Sequence, residues 1–138
     1  LGVLVDGGND FFGKTIKLGA NIDLGGTISF NPIGYGYEFK DGKVFKGTFD
    51  GRGYTLNNVI IYEVQTAGGM FGIAGDGATL KNFAINGLAM VTGKASTGYT
   101  YAGASGNYSL FFWKPETVDS EITFENIYIN YIINAVLV

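Results

Sequence analysis

Histidine and cysteine are both absent from the chain. That excludes Ser-His-Asp and Cys-His nucleophilic catalysis, helical two-histidine metalloprotease sites and the common zinc sites. Carboxylates are then the only plausible acid–base groups. Asp6, Asp10, Asp23, Asp50 and Asp76 mostly stand beside Gly or Asn, where an Asp side chain ordinarily caps its own turn. A calcium site needs several converging oxygens, which Asp50 and Asp76 supply only if the fold sets them on adjacent layers. The densest acidic cluster is Glu116, Asp119, Glu121 and Glu125, behind Trp113 and Pro115. Glycoside hydrolysis uses a carboxylate pair, and a neighbouring Trp suits sugar stacking, yet Glu121 and Glu125 flank a strand where solvated acids are ordinary. Polysaccharide elimination also wants a basic group near the acids, and Arg52, the sole arginine, lies far along the chain. No catalytic residue, metal or cofactor is assigned.

The elements that would carry such residues are β-strands. Among 138 residues there are 23 Gly but only 2 Pro, with 11 Phe and 9 Tyr. Many glycines with few prolines imply many tight turns without extended linkers, and the Val, Ile, Thr, Phe and Tyr between them suit pleated surfaces. The hydrophobic share of 46% excludes a disordered tail. With nine Lys and Arg and a net charge of −3, no basic stripe exists for nucleic acid. No apolar run approaches the ~20 residues of a membrane helix, and no signal-peptide pattern is present. Leu1 in place of an initiator Met reads as a processed chain or an excised piece.

One pattern recurs: Thr-Leu-Asn-Asn-Val-Ile-Ile at 55–61, Thr-Leu-Lys-Asn-Phe-Ala-Ile at 79–85 and Thr-Phe-Glu-Asn-Ile-Tyr-Ile at 123–129. Its parity is broken. Leu56 and Val59 are odd-spaced, Val59 and Ile61 even-spaced, so a flat strand cannot bury all three. A left-handed residue at Asn58 resets the alternation, and Asn tolerates that conformation well. The same corner falls at Asn82 and Asn126, placing Leu80, Phe83, Ile85, Phe124, Ile127 and Ile129 inward. Stacked copies would superpose the three corner asparagines, either as a side-chain amide ladder or with each Asn serving its own turn. Ahead of the first copy, Asp50-Gly51-Arg52-Gly53 supplies a turn with two glycines and a capping Asp.

A resemblance enters on these residues. Asn21-Ile22-Asp23-Leu24, Asn31-Pro32-Ile33-Gly34, Phe45 to Val59 and Gly69-Met70-Phe71-Gly72 resemble the opening coils of adhesin-type right-handed parallel β-helices. These are the filamentous-haemagglutinin-like, GLUG-motif domains of bacterial surface proteins. The likeness covers roughly residues 1–91 and is strongest over 45–85; Arg52 and Met70-Phe71 depart from the usual pattern. It implies an all-β solenoid, extracellular at the cell surface, with motif residues that are structural. The expected layout is a cap remnant at 1–14, coils at 15–91, an insertion at 92–108, and a last coil with an apolar terminal strand at 109–138. Insertions in solenoids map to outward loops, which makes Tyr99, Tyr101 and Tyr108 a contact surface for a glycan or host protein, or an ordinary decorated loop. Ile132, Ile133, Val136, Leu137 and Val138 form an apolar run suited to self-association or to continuation into further coils. The expected role is non-catalytic, structural or adhesive, in a surface protein or self-assembling filament, without nucleic acid or membrane insertion. The alternative is a fragment of a carbohydrate-active β-helix enzyme, a polysaccharide lyase or glycoside hydrolase.

Overall fold

The computed structural model describes residues 1–25, 33, 43–62, 70–93, 111–130 and 132–137. After a short helix, α1 (Gly2–Asp6), the chain lays down β1 (Thr15–Lys17) and β2 (Ile22–Asp23), then β3 (Val44–Phe45), β4 (Thr48–Asp50) and β5 (Thr55–Tyr62). It continues with β6 (Phe71–Ala74), β7 (Thr79–Gly93), β8 (Phe112–Pro115), β9 (Thr123–Ile129) and β10 (Ile132–Leu137). All pairings between these strands are parallel. Parallel neighbours cannot be joined by a tight hairpin, so the chain must travel around and return before it adds to a sheet.

The order of return is visible in the register. Thr79 pairs with Thr48 on one side and Thr123 on the other, so β4 and β9 flank β7 on opposite edges. In the same way β5 lies along residues 84–91 and β10 along 88–93 of β7. Layers therefore succeed one another as β1 with β2, β4 with β5, β7, and β9 with β10. A second sheet, β3-β6-β8, advances in the same order. Apolar columns run across the layers: Ile16, Phe49, Leu80 and Phe124 in one, and Ile22, itself 39% exposed, with Leu56, Ile85 and Ile129 in another.

The two sheets share one core. Phe45, Phe71, Leu80, Ile85 and Val59 are fully buried, and α1 adds Val5 to the same cluster. Rings of the smaller sheet stack across layers, with Phe45 and Phe71 centroids 4.8 Å apart and Phe71 and Phe112 5.2 Å apart. Phe49 meets Phe71 and Phe83 edge-on, which ties the sheets together in favourable aromatic geometry. Inward placement weakens in the last layer, where Phe124 is 51% exposed and Ile127 and Ile129 are half-buried. Among the described residues no strand pairs with β9 beyond β7.

The register corrects one expectation. Copies 79–85 and 123–129 stack residue for residue, but 55–61 does not join them. Thr55 faces Ala84, and Leu56 faces Ile85. The segment stacked on Thr79-Leu80-Lys81 is Thr48-Phe49-Asp50, because the turn at 50–53 takes up the corner that Asn82 supplies in the next layer. Arg52 and Gly53 there have φ of 54° and 83°. Gly51 sits against the next layer's corner, and a Cβ on it would lie 2.3 Å from Phe83 Cβ and 2.7 Å from the Asn82 carbonyl oxygen. Both obstacles are backbone-anchored, so Gly51→Ala should destabilise by about 1–3 kcal/mol. Gly19→Ala, with nothing within 4 Å of the added carbon, serves as the control. A thermal scan in which the two variants melt alike would contradict this packing.

Candidate functional site

The corners carry a regular set of polar side chains. Asn58, Asn82 and Asn126 all hold left-handed backbone, with φ of 55°, 57° and 50°. Asn82 Nδ2 donates to Asp50 Oδ1 at 3.1 Å, and Asn126 Nδ2 donates to Asn82 Oδ1 at 3.1 Å. The ladder is thus Asp50–Asn82–Asn126. Asn58 lies outside it and donates to Asp23 Oδ1 at 2.9 Å, a consequence of the offset of β5 along β7. Gly51 and Gly53 fasten the base, their N–H groups donating to the carbonyls of Lys81 and Asn82 at 2.8 and 2.7 Å.

A second ladder runs beside the first. Asn86 Nδ2 donates to Asn57 Oδ1 at 3.2 Å, and Asn130 Nδ2 to Asn86 Oδ1 at 2.8 Å. It is absent from the sequence reading, although a signal existed: the two later repeats continue Ile85-Asn86 and Ile129-Asn130, extending the shared pattern by one residue. Between the ladders stand Thr55, Ala84 and Tyr128 in one column. Tyr128 is 66% exposed. Its ring divides two open depressions. One, of about 470 Å³, is lined by Asp50, Arg52, Asn82 and Asn126; the other, of about 340 Å³, by Asn21, Asn57, Asn86 and Asn130.

Electrostatics follow the layers as well. Lys17, Asp50, Lys81 and Glu125 occupy one column, so unlike charges alternate up the stack. Asp50 has its pKa lowered, first by the Arg52 N–H, then by the Asn82 amide, with help from Lys81 and Lys17. Asp23 is lowered by Asn58 and by the Gly25 N–H.

Four further acids among the described residues have structural places. Glu116 pairs with Lys46 at 3.0 Å, Glu125 takes its place in the charge column, and Asp76 accepts the Glu121 N–H at 2.9 Å. Asp10 caps the Phe12 N–H. Among the described residues no three acidic groups converge as a metal site would require. Ile132, Ile133, Val136 and Leu137 belong to β10, in register with Leu88, Ala89, Thr92 and Gly93. Tyr99, Tyr101, Tyr108 and Val138 lie outside the described residues. Comparison with protein-family models, curated proteins and solved structures returned no match.

Two outcomes are expected of the first ladder. Asn82→Leu removes two side-chain bonds and forces a branched-chain residue into left-handed backbone, so it should cost about 1–3 kcal/mol in denaturant unfolding; unchanged stability would refute the ladder's role. The second concerns acid. A carboxyl whose folded pKa lies below its ordinary value, 3.8 for Asp, stabilises fully above that value, and the contribution disappears as pH falls through the folded pKa. Stability should therefore fall below about pH 4. Asp50→Asn should flatten that acid limb, and an unaltered limb would show that Asp50 is not coupled to folding.

Proposed function

We propose that this chain is a right-handed parallel β-helix with a non-catalytic structural or adhesive role. It acts extracellularly, in a bacterial surface protein or self-assembling filament. The observation that carries the reading is the sequential layering: successive chain segments add to both sheets in the same order, with matching residues in columns. A solenoid produces that pattern naturally, because each turn contacts only its neighbours. The likeness of residues 1–91 to adhesin-type coils supplies the surface setting.

The enzyme reading receives less support. A retaining or inverting glycosidase needs a pair of carboxyl groups facing one substrate, whereas in the cluster Glu116, Asp119, Glu121 and Glu125 the last stands beside Lys81 of the adjacent layer. Glu116 is committed to Lys46.

Self-association is the part of this role most open to direct test. β9 presents Phe124, half exposed, on the outermost described layer, and a strand edge of this kind can pair with a second copy through main-chain bonds. A contact of that type is heterologous and builds an open array unless a rotation closes it. Sedimentation velocity should show concentration-dependent growth of the parent chain, suppressed in Phe124→Lys. A parent that stays monomeric across the series, or a variant that assembles equally, would rule out assembly through this edge.

A further inference from the structure

We propose that the surface between the two asparagine ladders is a binding site for a neutral polysaccharide chain. The inference deepens the adhesive reading above and rests on it for its setting only. Three columns define the site. Asn82 and Asn126 stand above Asp50 on one side, and Asn57, Asn86 and Asn130 on the other. Tyr128 rises from the middle column over Ala84 and Thr55. The small residues beneath the ring leave a depression on each side of it, lined by Ala84 and Tyr128 in common and by one ladder apiece.

The chemistry of the lining selects the ligand. An asparagine amide has two N–H donors and an oxygen with two lone pairs. At Asn82 and Asn86 the ladder takes one N–H and one lone pair, which also fixes the side-chain rotamer. Among the described residues no other bond takes the second donor or the second lone pair, and these recur from layer to layer at about 4.8 Å. Vicinal sugar hydroxyls, each both donor and acceptor, match such alternating groups, and the amides are held in place before the ligand arrives, so little ordering cost remains. Tyr128 offers the apolar face that the C–H surface of a pyranose ring covers, with a phenol tip for a further bond.

Charge argues for a neutral polymer. Among the described residues, the ionic groups lining the two depressions are Asp50 and Arg52, one of each sign, on the same side. Asp50 is held ionised by its own turn and by Asn82, and its column alternates in sign through Lys17, Lys81 and Glu125, so an acidic polymer finds no run of cations to follow.

The test is affinity electrophoresis of the full chain in native gels containing a soluble neutral β-glucan, mannan or xylan, with polygalacturonate as the acidic comparison. The parent should be retarded by at least one neutral polymer and not by polygalacturonate. Tyr128→Ala should weaken that binding about tenfold, Tyr128→Phe should retain most of it, and Asn86→Ala should weaken it severalfold. Tyr128 is largely exposed, so its replacement leaves the core intact, and an unchanged thermal melt verifies this. No retardation by any neutral polymer, retardation by polygalacturonate alone, or full binding by Tyr128→Ala would each overturn the site. Such a result in a chain with an intact parallel stack would leave the solenoid reading standing, whereas loss of the stack would remove both.

Discussion

A parallel stack requires its corners to turn at the same place in every layer, and most of this molecule answers to that constraint. Left-handed backbone is costly for ordinary residues and tolerable for Asn and Gly. At the main corner the chain therefore uses Asn82 and Asn126, and in the layer beneath them the Asp50-Gly51-Arg52-Gly53 turn. With the corner fixed, the alternation of faces is fixed on both sides of it. Leu80 enters the core before the bend and Phe83 and Ile85 after it. The same geometry brings the corner side chains into bonding range of one another, so the residues chosen for their backbone also knit adjacent layers. Asp50 shows the coupling at its base: one oxygen caps the Arg52 N–H of its own turn and accepts the Asn82 amide of the next layer.

Stacking also makes neighbouring layers chemically dependent. A column of like charges would repel at each step, and the column Lys17, Asp50, Lys81, Glu125 alternates instead. Gly51 has no side chain because the Asn82–Phe83 corner occupies that space. Phe45, Phe71 and Phe112 share a ring stack that a change in any one would disturb. These dependencies tie each layer to the ones beside it.

Much of this is legible in the sequence, and the reason for the exceptions is physical. The broken parity of Thr-x-x-Asn-x-x-Ile marks the bends, and the buried set Leu56, Val59, Leu80, Phe83 and Ile85 follows from it. Stacking order is less legible, because similar words need not occupy the same corner. Residues 55–61 share the motif yet lie five positions out of phase with 79–85, and no local feature of either segment reveals this; the deciding feature is the turn at 50–53, which has a different composition and the same shape. Phe124 matches Leu80 in the motif but lies half exposed, since burial depends on the layer above it and not on the residue. The candidate binding surface was legible only in part: Asn82 and Asn126 declare themselves as corners, whereas Tyr128 gains its meaning from Ala84 and the second ladder beside it.

Register is the claim on which the rest stands, and the absence of cysteine allows it to be measured by paired cysteine substitution. Directly facing residues of adjacent parallel strands are about 4.8 Å apart, within the Cα separation a disulfide spans. The double variant Thr79→Cys with Thr123→Cys should cross-link under mild oxidation, as read by non-reducing electrophoresis and peptide mapping, while Thr55→Cys with Thr79→Cys should not. Efficient cross-linking of the 55–79 pair, or failure of the 79–123 pair in a folded chain, would contradict the stack described here.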